Sequence, residues 1–316
     1  AFLERVFQKL LLNFTWWVNR KDYNGNNLFG GGFLGLDNIG AFDRNMEFNE
    51  GEHLEQADGT SWMAMYALNM MRIAMELATY NPVYEDMAIK FFEHYLYIAE
   101  AMENIGEDKQ GLWNDEDGFF YDLLQLSNGD SVSLKLRSIV GLIPMFAVEV
   151  VEHSLLEKLP GFKKRMEWVL KNKQDLTKLV PQWYVEGEGN KHLLSILRKT
   201  RLTKVLTRLV DESEFLSDYG IRAMSKVYEE NPFRFTVHGQ EHVVYYTPAE
   251  SDSRMFGGNS NWRGPIWFPI NFLIVESLQR FHFFFGDALT IEYPKGSGVQ
   301  KNLEEVSKDI SDRLCN

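Results

Sequence analysis

The sequence predicts an all-α fold in which paired helices form an α/α toroid, with the functional loops gathered at one end. Apolar residues recur at helical spacing through most of the chain, and the helical segments alternate with long loops that carry Gly and Trp. Strand patterns are scarce. The 316 residues suffice for one large domain or two ordinary ones, and we expect a single domain over 1–316.

Composition and charge exclude several classes of function. With 45% hydrophobic and 14% aromatic residues, the chain can fill a substantial core. The formal net charge of −12 argues against a nucleic-acid partner and against anionic membrane surfaces, and no apolar run is long enough to cross a bilayer. The single cysteine, Cys315, fits a reducing compartment, so we expect a cytoplasmic protein.

Periodicity predicts most elements of the chain. Helices are expected over 2–18, 62–79, 84–104, 136–151, 266–285 and 302–314. The stretch 154–212 is also expected to be helical, with breaks at Pro160 and Pro181. The best strand candidate covers 241–246.

The stretch 258–267 has the strongest chemical character, because two indoles, Trp262 and Trp267, flank the guanidinium of Arg263. Pro265 favours a helix start, so the stretch is expected to deliver its side chains at a helix N-terminus. Aromatic faces beside polar donors suit a sugar ring. A Trp-rich helix start packed into a core would show the same pattern.

A glycine-rich stretch, 30–40, surrounds Asp37 with apolar residues. Glycines allow a close approach to a ligand, and a poorly hydrated carboxyl has a raised pKa, as a general acid near neutral pH requires. Alternatively, Asp37 caps a helix or forms a turn.

Two further segments have open interpretations. Residues 111–122 interleave aromatic and acidic side chains, which suits either a sugar-binding rim or an exposed turn followed by a short strand. Asp22, Asn24 and Asn26 stand at alternate positions as calcium-loop ligands do, but the Gly and late Glu of an EF-hand are missing. We therefore favour a solvated loop there and expect no required cofactor.

Other catalytic chemistries lack their motifs. His238 and His242 are four residues apart, but their segment has strand character, which does not suit a zinc site on a helix. The sequence has no phosphate-binding loop, no dinucleotide-binding glycine pattern in the required context and no G-x-S-x-G elbow. Carboxylate chemistry beside aromatic surfaces remains, and glycoside hydrolysis uses that combination.

Four motifs resemble glycoside hydrolase family 63: 35–38 (Gly-Leu-Asp-Asn), 57–62 (Ala-Asp-Gly-Thr-Ser-Trp), 219–222 (Tyr-Gly-Ile-Arg) and 261–267 (Asn-Trp-Arg-Gly-Pro-Ile-Trp). The family contains mannosyl-oligosaccharide glucosidases, which are processing α-glucosidases, and bacterial and archaeal relatives. It is similar to trehalases and mannosylglycerate hydrolases in its (α/α)6 barrel. The resemblance spans nearly the whole chain, and the last motif is the most specific.

The resemblance implies an inverting α-glucosidase that acts on α-linked glucosides or oligosaccharides, with Asp37 as its general acid. The family's base is a glutamate in a segment that we do not find before Asn316, so we expect a C-terminally truncated fragment with an incomplete barrel. Arg263 is expected either to pair with a carboxylate in the pocket or to act as a structural clamp. The predicted substrate-binding residues are Asn38, Asp58, Trp62, Trp113, Asn261, Trp262, Arg263, Gly264 and Trp267. The alternative is a non-catalytic carbohydrate-binding or scaffold module.

Overall fold

A computed structural model describes most of the chain. The described residues are 2–20, 25, 27–30, 36, 39–44, 46, 48–103, 111–172, 180, 183, 190–247 and 265–316.

Among the described residues, helices are the main regular structure. They are α1 (Phe2–Val18), α2 (Ala57–Ala78), α3 (Val83–Glu103), α4 (His153–Glu157), α5 (Pro160–Asn172), α6 (Lys199–Leu209), α7 (Phe268–Phe285) and α8 (Leu303–Cys315). The predicted helices at 2–18, 84–104, 266–285 and 302–314 are confirmed with small shifts of their ends. The predicted helix at 62–79 begins earlier, at Ala57, so the motif at 57–62 forms its first turn.

Short strands also occur beside the helices, so the expectation of an all-α fold is confirmed only in part. They are β1 (His53–Glu55), β2 (Trp113–Asn114), β3 (Phe119–Phe120), β4 (Asp122–Gln125), β5 (Ser131–Leu134), β6 (Val148–Glu152), β7 (Lys191–Ser195), β8 (Leu216–Ser217), β9 (Gly220–Ile221), β10 (Phe233–Val237), β11 (Gln240–Val244), β12 (Thr290–Glu292) and β13 (Gln300–Asn302). The strand pairs are antiparallel, and β1, β4 and β5 form a three-stranded sheet in the order β1-β4-β5.

The predicted helix at 136–151 is wrong. A 3-10 helix occupies Ile139–Phe146, and β6 follows it and pairs with β7, with Val150 opposite Leu193. The apolar run is nearly continuous, and periodicity does not separate a buried strand from a buried helix in such a run. The β-branched residues of β6 favour a strand, and β7 likewise interrupts the predicted helical stretch 154–212.

The α2 helix is the most deeply enclosed long element. Buried residues lie on nearly every side of its first turns, and α1, α3, the 3-10 helix at Ile139–Phe146 and β6 all pack against it. On α1, Phe7 and Phe14 face inward. Their rings meet the ring of Phe91 on α3 edge to face, with ring centres 6.0 and 5.1 Å apart. One apolar core cluster extends from Phe7 to Ile310. The first turn of α2 is therefore held rigidly.

At the C-terminal end of the chain, α8 packs against α7. Asn302 caps α8: its side chain accepts a hydrogen bond from the Glu305 N–H at 2.9 Å, and the Glu305 carboxylate accepts from the Asn302 N–H at 2.9 Å. Among the described residues, no helix has the length and apolar character needed to cross a membrane.

Candidate functional site

The candidate site is built around the first turn of α2. Strand β4 runs antiparallel to β1, with Leu123 opposite Glu55, so Asp122 lies beside the start of α2. The Asp122 Oδ1 atom accepts a hydrogen bond from the Ala57 N–H at 2.9 Å. A carboxylate at a helix N-terminus satisfies an otherwise unpaired N–H and interacts favourably with the helix dipole. Asp122 thus caps α2 from a different element.

Arg44 joins this cap to the helix and to a third segment. Its Nε and Nη2 atoms donate to Asp122 at 2.8 and 3.1 Å. Its Nη1 atom donates to Asp58 at 3.2 Å, and Nη2 forms a close ion pair with the other oxygen of Asp58. The second N–H of Nη1 donates to the Leu36 carbonyl oxygen at 2.8 Å. All five N–H donors of the guanidinium are therefore used. We call Arg44, Asp58 and Asp122 the Arg44 cluster.

The Arg44 cluster is shielded from water. Arg44, Asp58 and Asp122 are 4%, 1% and 8% exposed. Burial alone would lower the pKa of Arg44, but the charges of Asp122 and Asp58 raise it above its ordinary value, so the cation persists. Burial raises the pKa of Asp122, and the Arg44 cation opposes that effect while the Asp58 charge adds to it. One cation thus serves two carboxylates, which makes the cluster formally negative when both are ionised.

The glycine-rich segment begins directly against α2. The Phe29 N–H donates to the Thr60 hydroxyl at 3.0 Å, and that hydroxyl donates to the Gln56 carbonyl oxygen at 2.9 Å. Gly59 faces the Phe29 carbonyl so closely that a Cβ at this position would overlap it. The side chain of Gln56 also donates to the Arg44 carbonyl oxygen at 3.2 Å. The Gly-Thr pair of the 57–62 motif is therefore explained by the close approach of the 29–30 backbone.

A small cavity lies beside the Arg44 cluster. Its volume is about 20 Å³, and Arg44, Tyr121, Asp122 and Ser138 contribute its polar lining. A water molecule needs about 10–15 Å³, so the cavity has room for a single water and is too small for a sugar ring.

The three described tryptophans of the predicted site have distinct surroundings. Trp62 is 8% exposed, and its ring centre lies 5.5 Å from that of Phe146. Its indole N–H has no hydrogen-bond partner among the described residues. Trp113 donates from its indole to Asp115 at 2.7 Å, and the Arg201 guanidinium covers its ring at 5.0 Å. Arg201 therefore covers one face of the Trp113 ring within the protein.

The third tryptophan, Trp267, is 6% exposed and immediately precedes α7, where its carbonyl oxygen accepts from the Asn271 side chain at 3.0 Å. Asn271 also exchanges two hydrogen bonds with Ile221, at 2.7 and 3.0 Å. The Ala223 N–H donates to the Pro265 carbonyl oxygen at 2.8 Å. The motif at 219–222 and residues 265–267, the described end of the motif at 261–267, therefore meet at the start of α7.

Several predicted site residues lie outside the described residues. These are Asp37, Asn38, Asn261, Trp262, Arg263 and Gly264, and the calcium candidates Asp22, Asn24 and Asn26. Of the other predicted residues, Asp58 uses both of its carboxylate oxygens to bind Arg44. The side chains of Trp62, Trp113 and Trp267 are buried. Contact of these four residues with substrate stays a prediction. In the described part of the chain, no group of three His, Cys, Asp or Glu side chains has the arrangement of a metal site. His238 lies in the turn between β10 and β11.

Sequence reasoning missed Arg44 and the capping role of Asp122. Asp122 belongs to the acidic and aromatic stretch 111–122, whose inner residues are buried, and Asp115 and Glu116 form an exposed turn between β2 and β3. The partner of Arg44 lies 78 residues away, and no local spacing signals that contact. The one usable signal was the apolar flank of Asp122 at 119–121, since an acid within such a run needs a buried partner.

A model of the glycosyl hydrolase family 63 C-terminal domain matches residues 17–311. The chain belongs to glycoside hydrolase family 63. The match extends from the end of α1 to α8, so it includes the Arg44 cluster and both motifs that meet at the start of α7.

A relative from Saccharomyces cerevisiae is similar to almost the whole of this chain. It is the "Uncharacterized protein YMR196W", which is 52% identical over 327 aligned positions covering 99% of this chain. The chain spans 30% of that protein's length. Membership of family 63 places the chain in a family of glycoside hydrolases.

Proposed function

We propose that this chain forms the catalytic (α/α)6 barrel of an inverting glycoside hydrolase that cleaves α-linked glucosides or oligosaccharides, with Asp37 as its general acid. Family 63 membership supports glycoside hydrolysis. The observation that carries the proposal is the hydrogen bond from Arg44 to the carbonyl of Leu36, the residue before Asp37. It links the glycine-rich segment to two buried carboxylates at the start of α2.

The charge of the Arg44 cluster supports an acid close by. When Asp58 and Asp122 are both ionised, the single cation of Arg44 leaves a net negative charge in a buried environment. A further carboxyl near this charge is harder to ionise, because like charges and burial both favour its neutral form. A general acid needs to hold its proton near neutral pH until the leaving oxygen takes it.

Neither carboxylate of the cluster suits the role of base. An inverting enzyme needs a carboxylate that activates water, roughly 6.5–9.5 Å from the acid. Both oxygens of Asp58 and both oxygens of Asp122 already accept hydrogen bonds from Arg44, and Oδ1 of Asp122 also accepts from Ala57. We therefore assign the pair to holding Arg44, and the base to a different carboxylate.

The proposed sugar contacts come from the motif at 261–267, from α2, from β2 and from the residue after Asp37. In this proposal the residues that contact the sugar are Asn38, Trp62, Trp113, Asn261, Trp262, Arg263, Gly264 and Trp267. Indole faces and amide donors suit the two sides of a glucose ring. The shape of the pocket rim decides which linkage is cleaved, as specificity depends on such contacts.

The stereochemistry of the product tests the proposal. The full-length polypeptide is incubated with a panel of α-glucosides whose leaving alcohol is not itself a glucose, so that every glucose released comes from the cleaved anomeric centre. The product is followed by proton NMR before mutarotation. We expect β-glucose to appear first, because inversion at an α-linkage yields the β-anomer. Initial release of α-glucose would contradict the inverting mechanism. Sugar binding by isothermal titration without any turnover would instead identify a binding module.

A further inference from the structure

Arg44 reaches Leu36 with an N–H whose position in space is fixed. Two carboxylates hold the guanidinium in its plane, Asp58 from the first turn of α2 and Asp122 from β4. Such two-point pairing restricts both the position and the tilt of the fork. The fifth N–H then points at the Leu36 carbonyl at 2.8 Å.

We infer that Arg44 is a positioning residue for the general acid, because it fixes the Leu36 carbonyl and so the backbone from which Asp37 extends. This inference rests on the proposed role of Asp37. The peptide unit is planar, so holding the oxygen of Leu36 also restrains the orientation of the following N–H and Cα. Arg44 makes no contact with substrate in this scheme and acts only through the chain.

Both the side chain and the backbone of Arg44 are tied to the start of α2. The side chain of Gln56 donates to the Arg44 carbonyl oxygen at 3.2 Å, so the backbone of Arg44 is tied to the start of α2 as well. Thr60, one turn later, holds the Phe29 N–H at 3.0 Å. The glycine-rich segment is thus anchored to α2 at Phe29 and, through Arg44, at Leu36.

Replacing Arg44 by lysine separates the effect of its charge from the effect of its fixed hydrogen-bond donors. It keeps the buried positive charge, but its three donors radiate from one nitrogen and cannot reproduce the five-donor fork. Arg44→Lys is therefore expected to keep a cation beside Asp58 and Asp122 and to lose the fixed donor to Leu36.

The experiment compares two α-glucosides that differ in their need for an acid. One is an α-linked glucose disaccharide, whose leaving alcohol must be protonated. The other is a dinitrophenyl α-glucoside, whose leaving group departs without a proton. We expect Arg44→Lys to lower kcat on the disaccharide by about 10²-fold, since a misplacement of about 1 Å costs that much. Its kcat on the activated glucoside should change little, and its KM for both should stay near that of the parent.

Two further variants make the comparison decisive. Asp37→Asn should show the same selective loss, larger in size. Arg280→Lys is the matched control, because Arg280 also pairs with a buried carboxylate, that of Glu149 at 2.8 Å, but does so between α7 and β6. Its kcat should equal that of the parent on both glucosides. If Arg44→Lys does not fold, Asp58→Asn replaces it, since it removes one acceptor of the fork and should give the same selective pattern.

Equal losses on the two glucosides, or no loss, would overturn the positioning role of Arg44. A selective loss in Asp37→Asn without one in Arg44→Lys would refute this inference alone. Unchanged turnover in Asp37→Asn, or a parent without turnover, would refute the proposed acid and the positioning role together.

Discussion

Replacing Asp37 by Asn is expected to lower kcat on α-linked glucose disaccharides by about 10²–10⁴-fold, the usual contribution of a general acid. Asn has the same shape as Asp, but it has no proton to give to the leaving oxygen. Binding of the disaccharide should change little, because the amide retains the hydrogen-bonding capacity of the site. Steady-state kinetics and isothermal titration of the variant measure the two effects separately.

Asp43 provides the matched control for this prediction. It lies in the same part of the chain and its side chain is exposed. Asp43→Asn should therefore turn over substrate at the rate of the parent. Wild-type turnover in Asp37→Asn would remove Asp37 from the mechanism, and an equal loss in both variants would indicate a nonspecific effect of charge.

Replacing Arg44 by Met is expected to lower the free energy of unfolding by about 3–5 kcal/mol, because it leaves buried carboxylates without their cation. Met fills similar volume and offers no donor, while Asp58 and Asp122 are 1% and 8% exposed. Many domains have only about 5–15 kcal/mol of total stability, so this loss is large. Urea unfolding of the parent and the variant gives the difference.

The loss caused by Arg44→Met should also depend on pH. Burial raises the pKa of Asp122 even beside Arg44, whose charge opposes that rise. Without Arg44, the folded protein keeps a proton that an unfolded Asp releases near pH 4. The variant should therefore lose stability, relative to the parent, as pH rises from about 4 toward 7. A difference in stability that shrinks over this range would contradict the account of the cluster.

Arg280→Met supplies the comparison for this stability effect. Glu149, its partner, is buried, but Arg72 lies 3.9 Å from the same carboxylate. Removing Arg280 thus leaves a second cation in place, and the loss should be smaller than for Arg44→Met. Equal losses would mean that the Arg44 cluster is no more sensitive to its cation than an ordinary buried pair.

The helices of this fold could be predicted from the sequence because their apolar residues follow the helical period. The periodic segments at 2–18 and 302–314 became α1 and α8 nearly residue for residue. By contrast, β6 and β7 stabilise each other across about forty residues of chain, from Glu149 opposite Leu194 to Val151 opposite His192. Pairing of this kind is set by tertiary structure, and a local window of sequence does not contain it.

Part of the site could also be predicted, because it lies at the start of a helix whose apolar residues follow the helical period. The motif at 57–62 pointed to a helix start, and the structure places that start among buried polar groups. The sequence indicates Asp122 only as part of an acidic and aromatic segment, because such a segment suits an exposed rim as well as a buried site. Arg44 gave no signal, because a lone arginine usually lies at the surface and its role depends on Asp58 and Asp122 together.

The most direct measurement of the central claim is a crystal structure of the full-length Asp37→Asn variant with an uncleaved α-glucoside bound. We expect the glycosidic oxygen within about 2.6–3.2 Å of the residue-37 amide, the hydrogen-bonding range of a general acid. The Leu36 carbonyl should still accept from Arg44. A sugar bound elsewhere on the protein, or residue 37 turned toward bulk solvent, would contradict the account.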